Sequence, residues 1–87
     1  MDTSHSAIAR RLKRANGHLE TIIEMIEKGR PCAQIAQQLQ AVESAIESAK
    51  KALIHDHVSH SLEQSFKASG SKGQAALRDF SLIAKYL

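Results

Sequence analysis

Residues 26–42 read IEKGRPCAQIAQQLQAV, and the letters KGRP in this stretch divide the chain into two long helical segments. Glycine often lies just past a helix end, and proline is favoured in the first turn of the next helix. Gly29 and Pro31 therefore predict that one helix ends near Lys28 and that another begins at Pro31. Because the linker is so short, we expect the two helices to form an antiparallel hairpin.

Apolar and small residues on both sides of this turn recur in alternating steps of four and three, which is the spacing of a heptad seam. Before the turn they are Ile8, Leu12, Ala15, Leu19, Ile22 and Ile26, and after it they are Cys32, Ile35, Leu39, Val42, Ile46, Ala49 and Leu53. Gly17 costs about 1 kcal/mol of helix propensity but leaves the seam in phase. We expect helices at about 5–28 and 31–67, because no breaker occurs before Ser69 and Gly70. The two helices of one chain do not cover these wide seams, so we expect a second copy of the chain to pack against them.

The C-terminal part of the chain contains a short third helix. Residues 68–73 read ASGSKG, a composition typical of a loop. After this loop the apolar residues fall on one side of a helix expected at about 74–86, and they are Leu77, Phe80, Ile83, Ala84 and Leu87. No segment shows the alternation of a strand. The pattern predicts an all-α chain of three helices.

Length and composition indicate one small domain, 1–87, that gains stability from oligomerisation. A chain of 87 residues with one cysteine has no intrachain disulfide, and a fold of this size buries only about 60–65% of the surface that the unfolded chain exposes. A lone cysteine suggests a reducing compartment. The sequence shows neither a signal peptide nor an apolar run of ~20 residues. We therefore expect a cytoplasmic protein without a membrane span.

The charge distribution points to an anionic partner. The net charge is +3, and Arg10, Arg11, Lys13 and Arg14 fall within five residues of the first helix. Nucleic acid is the commonest anionic partner of a basic cytoplasmic helix. A solvated helix face without a partner is the alternative, and the charges alone leave both interpretations open.

Cys32 and His57 share one face of the second helix, because 25 residues at about 100° each bring them within roughly 20°. They are also roughly 37 Å apart along the helix axis, so one chain does not bring them together. If the helix packs antiparallel against its own copy about a centre near Ser44 and Ala45, Cys32 of one chain comes level with His57 of the other. Two-fold symmetry then gives two identical sites per dimer. Ser61, four residues after His57, lies on the same face.

The other histidines are weaker candidates for this site. His60 lies about 80° around the helix from that face, with His55 further round, and His5 and His18 belong to the first helix. Ordinary structural roles are the alternative, with Cys32 as a small buried apolar residue and the histidine-rich run as a solvated helix face. Enzymatic activity is not expected, because nothing supplies an oxyanion hole or a substrate cleft.

The order of these features resembles the CsoR/RcnR/FrmR family of bacterial effector-sensing repressors. The similarity extends from Arg10 to about Phe66, and the tail from Phe80 to Leu87 looks like the short last helix of the family. The residues that carry it are RLKRANGHL at 11–19, Cys32, QQLQAV at 37–42 and His57. The interval of 25 residues between the cysteine and the histidine is that of the family.

This resemblance implies a three-helix protomer, an antiparallel dimer of long helices and a flat tetramer made of two dimers. It also implies that basic residues of the first two helices bind double-stranded operator DNA and that an effector releases the DNA. The positions that match DNA-contacting cations are Arg11, Arg14 and Lys50, with Arg10, Lys13 and Lys51 beside them. Such phosphate contacts weaken steeply with salt.

The resemblance leaves the effector open, because the chain departs from each sensor type of the family. Ser61 stands where copper-sensing members have a second cysteine and where nickel- and cobalt-sensing members have a histidine. Formaldehyde-sensing members use an N-terminal proline amine, whereas this chain begins Met1-Asp2. His18 replaces the glutamine that usually follows the glycine of the family motif.

The leading hypothesis is a metal-responsive repressor with Cys32 and His57 of opposite chains as ligands, and with His60, His5 or the terminal amine completing the site. One thiolate with imidazoles suits Ni(II), Co(II) or Zn(II), whereas Cu(I) favours a second soft ligand. The second hypothesis is a repressor triggered by modification of Cys32 by an aldehyde or an oxidised sulfur species. The third is a helical scaffold protein without a role on DNA.

Overall fold

The computed structural model describes residues 3–67 and 71–87 of the chain. These residues form three helices and no strand: α1 (Thr3–Glu27), α2 (Cys32–Lys67) and α3 (Ser71–Ala84). The all-α, three-helix protomer expected from the sequence is confirmed. Across the described part of the chain, no helix is both long and apolar enough to cross a membrane.

The turn between α1 and α2 is a Schellman motif built on Gly29. This glycine has a φ of 68°, and its N–H donates to the carbonyl of Ile26 at 3.1 Å. The N–H of Arg30 donates to the carbonyl of Met25 at 2.9 Å, which completes the hydrogen-bond pattern that closes a helix C-terminus. A positive φ is costly for residues with a Cβ, so glycine is the residue that ends α1 here.

The sequence predicted Pro31 in the first turn of α2. In the structure, Pro31 instead precedes the helix, which begins at Cys32. The carbonyl of Pro31 accepts hydrogen bonds from the N–H groups of Gln34 at 3.0 Å and Ile35 at 3.2 Å. Pro31 is therefore the residue that caps the helix, and α2 begins one residue later than predicted. The ends of α1 differ from the predicted 5–28 by one or two residues, which is the usual uncertainty of helix ends.

The described residues fall into two compact units, one that ends at Lys50 and one that runs from Lys51 to Leu87. The prediction of a single domain stays a prediction. In the first unit, α1 packs antiparallel against the first half of α2, because Arg11 lines a groove with Ser48 whereas Leu19 lines one with Leu39. The buried core of this unit consists of Ile8, Ala15 and Ile22 from α1 and of Val42 and Ala49 from α2.

These core residues are spaced by seven along each helix, so the packing uses only one of the two heptad positions of each seam. The other position of α2 is uncovered. Leu39, Ile46 and Leu53, which we call the α2 stripe, expose 43%, 41% and 45% of their surface. The uncovered stripe agrees with the expectation that two helices do not cover these seams. The dimer and the flat tetramer remain predictions.

In the second unit, α3 covers Ser71–Ala84 instead of the predicted 74–86. The helix starts three residues earlier than predicted, and Gly73 falls in its first turn, where N–H groups lack helical acceptors anyway. It ends earlier because the N–H groups of Tyr86 and Leu87 bond to the carbonyls three residues before them, which tightens the last turn. Of the predicted loop at 68–73, residues 68–70 lie outside the described residues.

Candidate functional site

His57 lies in the second half of α2, on the side that faces α3. Its Nε2 atom is in hydrogen-bond contact with the Oδ2 atom of Asp79, and 43% and 41% of the two side chains are exposed. A carboxylate only accepts hydrogen bonds, so the imidazole donates through Nε2–H. In the neutral ring, the second nitrogen, Nδ1, then carries the lone pair that is able to bind a metal ion.

A cavity of about 220 Å³ opens between α2 and α3 beside this pair. It is lined by His57, Val58, Ser61, Leu62, Ala76, Leu77, Asp79 and Phe80. Ser61 thus lies beside His57, as the spacing of four residues on one helix predicted. The polar side chains of the lining are those of His57, Ser61 and Asp79, and they share the cavity with apolar neighbours.

Asp79 is a residue that the sequence analysis missed. The expected apolar side of α3 included Leu77 and Leu87, yet these side chains are 68% and 67% exposed. The partly covered residues include Ala76, Asp79 and Ile83, spaced by three and four. An acidic residue within this inward row is the signal that would have identified Asp79 as a partner for a residue of α2.

Cys32 is the first residue of α2, and its free thiol is exposed. The sequence analysis gave a small buried apolar residue as the alternative role for Cys32. Within one chain, the exposed thiol does not fit that role. Cys32 belongs to the first unit and His57 to the second. Over residues 3–67 and 71–87, no three or more His, Cys, Asp or Glu side chains form a group that could hold a metal ion. A single protomer does not supply a metal site from the described residues.

The remaining histidines lie outside the cavity lining. His60 is exposed and contacts Gln64 at 3.4 Å. His55 is exposed next to Asp56, with 3.8 Å between Nδ1 and Oδ1. His5 is exposed on α1. The structure of one chain thus brings Ser61 to His57 but does not bring His60 or His5 into that cavity.

A second feature lies between α1 and the first half of α2. Arg10, Arg11, Lys13 and Arg14 are all exposed on α1. Two of them line a groove of about 450 Å³, which we call the basic groove; its lining residues are Arg11, Arg14, Ala15, His18, Ala45 and Ser48. This lining contains no acidic residue, so the groove presents positive charge to solvent.

Lys50 and Lys51 lie on α2, at the boundary of the two units. Lys50 forms an ion pair with Glu47 at 3.3 Å, with 42% and 49% of the two side chains exposed. An ion pair this exposed contributes little to stability, so Glu47 does not prevent Lys50 from meeting an anion. Lys51 is exposed.

Residues 4–85 match the family model described as metal-sensitive transcriptional repressor. The chain belongs to this family. The resemblance noted in the sequence is thereby confirmed. The expectation that the protein is not an enzyme is confirmed as well, because the family consists of transcriptional repressors.

Curated relatives of the chain include copper-sensing transcriptional repressors named CsoR. The one from Mycobacterium ulcerans is 38% identical over 82 residues, which cover 92% of this chain and 67% of the relative. The one from Mycobacterium tuberculosis is 33% identical over 82 residues (92% and 66%), and the one from Bacillus subtilis is 33% identical over 79 residues (91% and 77%). The chain spans about two thirds of the length of the mycobacterial relatives.

A solved structure with the same fold is that of the nickel-responsive transcriptional regulator InrS. The TM-score is 0.80 at 24% sequence identity, and the match covers 94% of this chain and 91% of that chain. This likeness confirms the three-helix fold. Since the relatives sense copper and the structural neighbour responds to nickel, membership of the family does not specify the metal.

Proposed function

We propose that this protein is a repressor that binds double-stranded operator DNA and releases it when a transition-metal ion binds between two protomers. In this proposal Cys32 of one protomer and His57 of its partner are the central ligands. The observation that carries the proposal is the contact of His57 with Asp79, because it leaves Nδ1 as a metal donor. Metal-binding histidines commonly donate their other N–H to a carboxylate in this way.

The site requires two chains because a helical segment of 25 residues spans about 37 Å. The α2 stripe supports the pairing of two long helices, since it exposes three large apolar side chains on the helix that carries both ligands. An antiparallel pair with two-fold symmetry places each Cys32 near the His57 of its partner. Two such dimers would form the flat tetramer that the family resemblance implies.

The donor set favours Ni(II), Co(II) or Zn(II) as the effector. The chain contains one cysteine, and Ser61 lines the same cavity as His57, in place of a second soft ligand. One thiolate with imidazole nitrogen suits borderline divalent ions, whereas Cu(I) prefers thiolate and thioether ligands. His60, His5 or the terminal amine would complete the coordination. The copper-sensing relatives make Cu(I) the main competitor, and the experiment below compares it directly.

DNA binding in this proposal uses the cations of α1 and α2. Arg11 and Arg14 line the basic groove, and Arg10 and Lys13 are exposed beside them on the same helix. Lys50 and Lys51 supply positive charge on α2, and binding is dominated by phosphate contacts. A repressor of this kind acts in the cytoplasm.

Release of DNA follows from the position of the metal between the chains. Two symmetry-related ions, each held by Cys32 of one protomer and His57 of its partner, would join the two α2 helices at the two ends of their contact and restrict the angle between them. The basic groove is formed by α1 and α2 of the same unit, so a change in that angle alters the spacing between the grooves of the two protomers. Phosphate contacts that require the original spacing between the two basic grooves would then be lost.

The test is titration of the reduced protein with Cu(I), Ni(II), Co(II), Zn(II) and formaldehyde, read by release of a labelled operator duplex. We expect a divalent ion to release the DNA, and Cys32→Ser and His57→Ala to abolish the response while both variants still bind DNA without metal. His55→Ala is the matched control, because His55 is exposed and lies outside the cavity lining. If no ion or aldehyde changes DNA affinity, the sensor function is wrong.

The exposed thiol of Cys32 supports a second candidate, a repressor that responds to covalent modification. This candidate predicts an adduct at Cys32 by intact-mass analysis after treatment with formaldehyde or a persulfide, with loss of DNA affinity and no metal retained. The scaffold alternative predicts no salt-sensitive duplex binding by the wild-type protein at all.

A further inference from the structure

His18 is a member of the basic groove that the proposed function has not used. It follows Arg11 and Arg14 in steps of three and four along α1, so the three side chains lie on one helix face. All three line the same groove, with Ser48 of α2 opposite. The imidazole is half-buried, whereas the two guanidinium groups are on exposed residues.

Gln38 of α2 determines which nitrogen of His18 carries the proton. The Nε2 atom of the imidazole lies 2.6 Å from the Oε1 atom of Gln38. The amide oxygen only accepts a hydrogen bond, so Nε2–H is the donor. In the neutral ring, Nδ1 therefore carries a lone pair, and within residues 3–67 and 71–87 it has no hydrogen-bond partner.

This tautomer makes the ring a poor ligand for an anion until it takes up a second proton. A lone pair on Nδ1 repels a phosphate oxygen, whereas protonation converts Nδ1 into a donor and adds a positive charge. Histidine is the side chain whose charge changes most readily between about pH 5 and 8. A bound phosphate and the protonated ring then stabilise each other.

The other charged groups around the groove support this assignment. The charged residues that line it, Arg11 and Arg14, are both basic, and the residues that α2 contributes, Ala45 and Ser48, are neutral. The acidic residues of this part of α2, Glu43 and Glu47, line the adjoining groove, which shares Ser48 with the basic groove, and Glu47 is paired with Lys50. An anion in the basic groove therefore meets cations from α1 without an acidic residue in the lining.

We propose that His18, oriented by Gln38, is a third phosphate ligand of the basic groove beside Arg11 and Arg14. While Gln38 keeps one proton on Nε2, the ring binds phosphate only after Nδ1 has taken up a second proton. The inference rests on the proposed function, because the phosphate is one of the operator duplex. It predicts a repressor that binds DNA more tightly, and with a steeper dependence on salt, as the pH falls.

The test measures the affinity for operator DNA as a function of salt at about pH 6 and at about pH 8, in the absence of metal. For the wild-type protein we expect the slope of log K against log salt to be steeper at the lower pH by about 0.9 for each His18 that contacts a phosphate. His18→Gln should remove this difference, because glutamine keeps hydrogen-bonding capacity but does not take up a proton. His55→Gln is the control and should keep it.

Gln38→Leu provides a second measurement. Without the amide oxygen, the neutral ring is free to carry its proton on Nδ1, so DNA binding at about pH 8 should rise towards its value at pH 6. A pH dependence that persists unchanged in His18→Gln would overturn the inference while leaving the repressor function intact. A wild-type protein that shows no salt-dependent duplex binding at either pH would overturn both.

Discussion

Ile46→Ala tests the proposed dimer, because Ile46 belongs to the α2 stripe and lies near the expected centre of the contact. In the single chain this side chain is 41% exposed. Full burial of an isoleucine side chain contributes about 2–3 kcal/mol, so covering the exposed part would contribute about 1 kcal/mol per protomer. A two-fold interface counts the residue twice, and the loss is therefore about 2 kcal/mol per dimer.

A loss of about 2 kcal/mol corresponds to roughly a thirtyfold increase in the dissociation constant of the dimer. Sedimentation equilibrium over a range of protein concentrations measures this constant directly. Ile23→Ala is the matched control, because Ile23 is 53% exposed and lies off the heptad seam of α1. Circular dichroism should show that both variants keep their helices.

Two results would contradict the reasoning. In the first, Ile46→Ala weakens association no more than Ile23→Ala does, and the α2 stripe is then not the contact. In the second, the wild-type protein is monomeric at every concentration, and the site between Cys32 and His57 then has no second chain to complete it.

Four further substitutions have defined outcomes, and Asp56→Ala serves as a control for the first. Asp79→Ala should lower metal affinity by about 10- to 100-fold in competition with a chromophoric chelator, since it removes the carboxylate that orients His57, and Asp56→Ala should not. Gly29→Ala should destabilise the protein by about 1–2 kcal/mol in chemical denaturation, because alanine is strained at a φ of 68°. Gly17→Ala should instead stabilise it by about 1 kcal/mol, because alanine favours the helix and no atom lies within 4 Å of the added Cβ. Ile22→Ala should cost about 2–5 kcal/mol and lower the melting temperature, because this side chain is only 2% exposed.

The three helices could be predicted from the sequence because their signals are local. The KGRP turn, the alternation of steps of four and three, and the motif around Arg11 and Cys32 each involve residues that are close along the chain. The helix ends were less accurate, since hydrogen bonds such as those to the carbonyl of Pro31 decide where a helix begins.

The partners of the candidate site residues could not be predicted in the same way. His57 and Asp79 are 22 residues apart, and His18 and Gln38 are 20 residues apart. Each contact depends on the rotation of one helix about its axis relative to another, and several rotations are compatible with the same apolar pattern. The rotation of α3 that brings Asp79 inward leaves Leu77 exposed, which the pattern alone did not indicate.

The amino-acid sequence by itself determined the helical class, the position of the turn, the basic segment of α1 and the family, because these follow from residue type and spacing. Only the tertiary structure decided which half of each heptad seam is buried, which nitrogen of His57 contacts Asp79, and how Gln38 holds the ring of His18. These features depend on packing between segments that are distant along the chain, where small changes in helix rotation exchange one neighbour for another.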